Sequence, residues 1–225
     1  MERLKGRQLK KQVLALLRSE PFDAAAEALC RYPPRRVVNP LIGFFCHPEP
    51  LVRWRAIAAM GTVVSALAEK EMESARVVMR RLMWSLNDES GGIGWGAPEA
   101  MGDIMAKSRP LADEYACILV SYMDPDGNYL EHPVLQRGLL WGVGRLAWTR
   151  PDLAAAGLPF LSPHLASGDP CLRGLAAWAA VAPGMELPMD QRQELAEDNG
   201  VLEIFLEGEL RKIWIRMPCS DIDPR

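Results

Sequence analysis

A chain of 225 residues with 49% hydrophobic and 24% charged residues, and a mean hydropathy of −0.05, has enough apolar surface to fold. It can bury roughly 70% of what its unfolded form exposes, which excludes disorder as the dominant state. Charge is −3 overall but uneven, with 11 Lys and Arg against 5 Asp and Glu in residues 1–60 and 15 against 24 in residues 61–225. The pI near 5.7 lies below that of a dedicated nucleic-acid domain, so nucleic acid is not an expected partner.

The opening Met1-Glu-Arg-Leu-Lys-Gly-Arg places charges where a signal peptide needs an apolar core, which points to a cytoplasmic protein. No apolar stretch runs to the roughly 20 residues of a membrane-crossing helix without a charge, Pro or Gly, so no membrane association is expected. Apolar residues at three- and four-residue spacing predict a first helix over 2–19, with Leu4, Leu9, Val13, Leu16 and Leu17 on one stripe. Short helices follow at 22–31 and 35–46. Stronger ones follow at 50–69, 71–86, 97–107, 110–123, 133–148, 151–166, 170–181 and 188–198. Pro50, Pro110, Pro133 and Pro170 read as helix starts, because a helix's first turn does not use the N–H that proline lacks.

These marks form a repeat. Pro50 precedes Gly61 by 11 residues, Pro133 precedes Gly144 by 11, and Pro170 precedes Val181 by 11. Gly61 to Gly102 is 41 residues and Gly102 to Gly144 is 42. A period near 40 holding two helices is that of an α-solenoid. Gly61, Gly102 and Gly144 then mark places where stacked helices approach closely, and Arg53, Arg137 and Arg173, near the starts of their helices, read as braces between copies.

The stretch His47-Pro-Glu-Pro-Leu-Val-Arg-Trp-Arg-Ala-Ile-Ala-Ala-Met-Gly61 resembles the second-helix signature of HEAT-like, armadillo-type repeats, including those of the phycobilisome-lyase type. Further copies are Asn87 to Gly102, Glu131-His-Pro-Val-Leu-Gln-Arg-Gly-Leu-Leu-Trp-Gly-Val-Gly144 and Gly168-Asp-Pro-Cys-Leu-Arg-Gly-Leu-Ala-Ala-Trp-Ala-Ala180. The resemblance implies an all-α fold, an α–α superhelix of about five helix pairs with a curved binding face, and implies no activity. The His-Glu dipeptides of metal-binding HEAT-like hydroxylases are replaced here by His47-Pro48 and His132-Pro133.

The end of the chain changes character. Val201-Leu-Glu-Ile-Phe-Leu206 and Leu210-Arg-Lys-Ile-Trp-Ile215 flank Glu207-Gly208 and predict a β-hairpin that pairs Glu203 with Lys212 and Val201 with Trp214. An isolated hairpin is marginal in water, so this one is expected to pack on the last helices and cap the stack. The expected organisation is a repeat domain over 1–198, a hairpin over 199–217 on the same domain, and a tail over 218–225.

Chemistry-bearing residues are sparse. Cys30, Cys46, Cys117, Cys171 and Cys219 are at least 16 residues apart, without zinc spacing, and four lie in apolar helical stretches and read as small hydrophobes. His47, His132 and His164 lie beside prolines and read as turn or capping residues. The segment from Trp84 to Glu99 breaks the repeat's pattern. Counting 11 back from Gly102 puts a helix start at Gly91, so four glycines and Pro98 fall where the first turns belong, at up to about 1 kcal/mol per glycine and about 3 for an interior proline. Such local conflicts mark functional sites. Gly92-Ile-Gly-Trp-Gly96 lacks the spacing of a phosphate loop.

The candidate binding set is therefore Trp54, Trp84, Asp88, Glu89, Ser90, Gly92, Gly94, Trp95, Glu99, Arg137 and Trp141, a composition suited to a cationic or aromatic partner. No catalytic residue, metal or cofactor is expected. Trp54 and Trp95 each lie seven residues before a repeat glycine and are expected to be neighbours. The expected function is protein or peptide binding on the concave inner-helix face. The alternatives are a small-ligand or chromophore accessory protein, and an enzyme like the HEAT-like DNA glycosylases, with Asp88 or Glu89 beside Trp84 and Trp95.

Overall fold

The computed structural model describes residues 6–87 and 94–216. In chain order its elements are α1 Gly6–Leu17, α2 Phe22–Leu29, α3 Pro34–Phe44, α4 Pro50–Ala68, α5 Met72–Leu86, α6 Ala97–Lys107, α7 Arg109–Ser121, α8 Pro133–Thr149, α9 Pro151–Ala154, α10 Leu158–Leu165, α11 Pro170–Ala180, α12 Met189–Ala196, β1 Val201–Leu206 and β2 Glu209–Trp214. Pro50, Pro133 and Pro170 open their helices, and Pro110 sits in the first turn of α7. The fold is an all-α superhelical repeat with a two-stranded hairpin at its carboxyl end.

The repeat order is visible in the packing. α4, α6, α8 and α11 each lie against the next and form an inner layer, while α3, α5, α7 and α10 pack behind them. Because α4 is covered by α2, α3, α5 and α6 as well as by the hairpin, it is apolar almost all round. It has the length and hydropathy of a membrane-crossing helix, yet 67% of that stretch is buried inside this fold, as expected of a central core helix.

Glycines set the spacing of this layer. A Cβ on Gly102 would lie 2.3 Å from the Cα and carbonyl oxygen of Gly142, and one on Gly142 would lie 2.5 Å from the Pro98 carbonyl oxygen. At this crossing backbone meets backbone, and α6 and α8 approach as only glycine permits. Gly61 and Gly144 instead make room for side chains, the Asp103 carboxyl and the Trp178 ring respectively.

Two expectations change here. The predicted helix over 151–166 is broken into α9, a 3-10 turn at Ala155–Gly157 and α10, because Pro159 has no N–H for the carbonyl four residues earlier. The eleven-residue spacing that put a helix start at Gly91 also fails. Gly96 takes φ +76° and α6 begins at Ala97, with Pro98 in its first turn, where proline starts a helix rather than interrupting one.

The hairpin has the expected register, Glu203 opposite Lys212 and Val201 opposite Trp214, closed by Glu207 and Gly208 with φ of 49° and 81°. Its placement differs from a simple end cap. The base rests on α11, where Leu202 and Ile215 fill the space beside Gly174, and the strands run back across the inner layer. Trp141 of α8 donates its indole N–H to the Phe205 carbonyl (3.1 Å). Phe205 stacks on Trp54 of α4 at 5.6 Å and 6°, and the buried Arg55 of α4 donates to the Gly208 carbonyl at 2.9 Å. Six residues per strand reach about 20 Å, a length matched to crossing inner helices about 8–10 Å apart. Arg55 also pairs with Glu20 and lies over the Phe22 ring, tying the hairpin tip to the amino-terminal helices.

Gly102→Ala is expected to lower the melting temperature sharply, since two backbones must part to admit one methyl group; overpacking typically costs about 1–3 kcal/mol. Gly168→Ala, with nothing within 4 Å of the added atom, is expected to leave it within about a degree or two. Thermal unfolding followed by circular dichroism measures both.

Candidate functional site

Because the hairpin lies along the middle of the inner layer, it divides what would be one open face into two cavities. The larger, about 690 Å³, is lined by α2, α4, α6, α8 and the hairpin tip, with polar and apolar side chains in about equal share. Its centre is Asp103, 2% exposed, held by Lys107 at 2.7 Å and Arg145 at 3.0 Å. Burial alone pushes the Asp103 carboxyl up, but the two cations outweigh it and hold the group below its usual value. Lys107 also donates to the Ala58 carbonyl and the Thr62 hydroxyl. The cluster is internally satisfied and joins α4, α6 and α8.

The second cavity, about 410 Å³, is built from the first turns of α4, α6, α8 and α11 and the flank of β1. It brings together Trp54, Trp95, Glu99, Arg137 and Trp141, five of the candidate residues. Trp54 and Trp141 meet at 4.9 Å with a 53° tilt, and Trp95, 36% exposed, stands at the rim with its ring edge-on to His132 at 5.6 Å. The expected neighbour of Trp54 was Trp95; the ring it packs on is Trp141, because Trp95 precedes α6 instead of lying within it.

Glu99 lies against this cavity in a tight space. A Cβ on Gly138 would come within 2.5 Å of its carboxyl oxygens, so the glycine of α8 is what admits the carboxyl. Its Oε2 is shielded from water and has no hydrogen-bond partner among the described residues. Burial pushes the Glu99 pKa up to about 7, against weaker lowering by its own backbone amide and by Arg53. A carboxyl with an enclosed oxygen that no donor meets is costly, and such groups concentrate at functional sites.

The three repeat arginines behave differently. Arg137 bridges to Asp169 at 2.7 Å, and Asp169 also caps α11 through the Cys171 N–H. Arg173 pairs with Asp198 at 2.5 Å. The first braces neighbouring copies, and the second ties the last copy to the connector that leads into β1. Arg53, half-buried at the cavity wall, has no carboxylate within ion-pair distance among the described residues.

Other candidate residues fall elsewhere. Trp84 is 73% exposed at the end of α5 and is not among the residues that line the cavity. Gly94 packs against the Ser85 carbonyl and Leu86, a packing role. Asp88, Glu89, Ser90, Gly91 and Gly92, with Cys219 and the 218–225 tail, lie outside the described residues. Cys46 and Cys117 are exposed and Cys30 and Cys171 half-buried. Cys46 and Cys171 line the second cavity, and burial pushes the Cys171 thiol up. No metal-binding cluster occurs among the described residues. His47 and His132 cap turns, accepting from the Glu49 and Val134 amides at 3.2 Å. Sequence reasoning missed Gly138, Glu203 and the unbraced state of Arg53; of these only Gly138, an additional glycine in the third copy, left a visible mark.

No protein-family model matches the chain. An uncharacterized protein of Archaeoglobus fulgidus is 31% identical over 107 residues, 48% of this chain and 52% of that protein. The chain thus spans about half the length of this relative. Similar solved structures include two engineered proteins from the Northeast Structural Genomics Consortium. One is 18% identical, with a TM-score of 0.44, over 77% of this chain and 78% of the other. The second is 16% identical, with a TM-score of 0.46, over 84% and 90%. A designed armadillo repeat protein in complex with the peptide (KR)4 is 16% identical, with a TM-score of 0.44, over 84% and 87%. These similarities assign no family, and the fold assignment stands on the packing described above.

A folded-state pKa raised from 4.5 to about 7 favours folding while the carboxyl is protonated, and that advantage is lost as pH rises toward and through 7. Glu99→Gln is therefore expected to change stability little at pH 4.5 and to raise it by about 2–3 kcal/mol at pH 8. Parallel denaturant titrations at the two pH values check this, because other titrating groups cancel between the two proteins.

Proposed function

We propose that the protein is a binding module for a compact planar ligand, held in the cavity between α4, α6, α8 and α11. The observation that carries this reading is the Glu99 carboxyl, with one oxygen lacking a hydrogen bond among the described residues, beside a cavity lined by Trp54, Trp95 and Trp141. A volume of about 410 Å³ is that of a small-molecule site, which typically joins apolar and aromatic walls to a few placed polar groups. Indole faces reward flat rings by offset or edge-on stacking, at about 0.5–1.5 kcal/mol per contact. An orphaned carboxyl oxygen rewards a ligand that offers it a donor.

This reading takes up the small-ligand alternative in place of the protein or peptide partner expected from the sequence. An extended peptide following the inner face would have to displace Phe205 from Trp54 and Trp141, and so lose the contacts that hold the hairpin. A single inserted ring requires no such displacement. Reaction chemistry finds little support: the Cys171 thiol is pushed toward its neutral form by burial, and Asp103 is committed to its cations.

A panel of bicyclic heteroaromatic compounds, followed by thermal shift, tests the proposal. A compound present at 100 times its dissociation constant stabilises by about 2.7 kcal/mol, equivalent to roughly 5–10 °C for a chain of this size. Val134, 37% exposed on the cavity wall, can be changed to Trp to fill the mouth without disturbing the core. Shifts in the wild type that vanish in Val134→Trp support the cavity as the site. No shift with any compound, or shifts that persist in that variant, contradicts it.

A further inference from the structure

Among the charged groups that line this cavity, Arg53 and the carboxyls of Glu99 and Glu203 make no ion pair among the described residues, and of the two carboxyls Glu99 is the one enclosed between α6 and α8. Glu99 Oε2 accepts no hydrogen bond among the described residues. Arg53, one position before Trp54 on α4, makes no ion pair among them, whereas its counterparts Arg137 and Arg173 are both bridged to aspartates. The two are close enough for the guanidinium to act on the carboxyl, yet no bond joins them. Gly138 admits the carboxyl at that spot, where an alanine would push it away. Leaving a buried acceptor unmet is costly, and a bond between charged partners is about twice as strong as a neutral one. A ligand that met both groups would recover both contributions.

We infer that the cavity takes a planar heterocyclic carboxylate, whose ring N–H donates to the Glu99 carboxyl and whose carboxylate receives the Arg53 guanidinium. This rests on the reading of the cavity as a ligand site and adds to it the chemical class of the ligand. The tryptophan walls select for flatness, Glu99 for a donor in the ring plane, and Arg53 for an anion on the ring's edge. A purely cationic ring would suit Glu99 but face an uncompensated Arg53. A purely apolar ring would leave both groups unmet.

Isothermal titration calorimetry at pH 7.5 with three matched probes tests the inference: indole-2-carboxylate, its N-methyl analogue and unsubstituted indole. The expected result is that indole-2-carboxylate binds and that either change weakens it at least tenfold. Arg53→Met should abolish the advantage of the carboxylate while keeping that of the N–H, and Glu99→Gln should do the reverse. Both variants are first checked for a wild-type circular dichroism spectrum; if one does not fold, Arg53→Gln or Glu99→Ala replaces it. Equal affinity for all three probes, or a carboxylate preference that survives loss of the Arg53 charge, overturns the inference while leaving the cavity as a site for flat rings. Binding of none of the probes, while other planar compounds give shifts that Val134→Trp removes, overturns the ligand class alone. Absence of any compound that binds overturns both.

Discussion

Phe205 lies against two tryptophans of the inner layer, its ring flat on Trp54 and its carbonyl receiving the Trp141 indole N–H, and the rest of the molecule's functional surface depends on that contact. A repeat stack with a bare inner face would offer a long shallow groove. With β1 laid along it, the same face becomes two separate cavities of different chemistry, one holding Asp103 paired with Lys107 and Arg145, the other aromatic with charges left over. Arg55 fixes the far end of the hairpin through the Gly208 carbonyl, so the division extends from the last repeat to the first helices.

The contact in turn needs the inner helices at short range. At the crossing of α6 and α8, Gly102, Gly142 and the Pro98 carbonyl bring backbones together where any side chain would hold them apart. That approach sets Glu99 of α6 beside Gly138 of α8 and brings Trp141 to the cavity that Trp54 also lines. Packing glycines and binding residues thus occupy the same helical turns, and a methyl group at Gly102 would disturb core and cavity together.

Much of the architecture was legible in the sequence because it rests on residues with hard steric limits. Proline marks helix starts and glycine marks close approach wherever they occur, so Pro50, Gly61, Gly102, Pro133, Gly144 and Pro170 revealed the layers; the Glu207-Gly208 turn likewise set the hairpin register. The candidate site was legible in part. Trp54, Trp95, Glu99, Arg137 and Trp141 stood out as aromatic and charged residues in equivalent copies, and they line one cavity. What the pattern could not convey was long-range pairing. Alternation along β1 puts Phe205 on the face of Val201 and Glu203, opposite Leu202, Ile204 and Leu206, and gives no sign that it is buried against Trp54, about 150 residues earlier. The isolation of Glu99 depends on Gly138, in a different copy, and the unbraced state of Arg53 depends on what its neighbours do not do. The eleven-residue spacing misplaced the start of α6 because Gly96 and Pro98 together define a later start.

The hairpin's place on the inner layer is the claim from which the cavities and the proposed ligand follow, and solvent exchange of the tryptophan indole N–H groups, observed by nitrogen-15 NMR, tests it most directly. Trp141, 2% exposed and donating to Phe205, should exchange orders of magnitude more slowly than Trp84, 73% exposed on α5. It should also show a cross-relaxation contact to Leu206. Exchange of Trp141 as fast as that of Trp84, with no contact to the hairpin, would mean that the inner face is open and that the account is wrong.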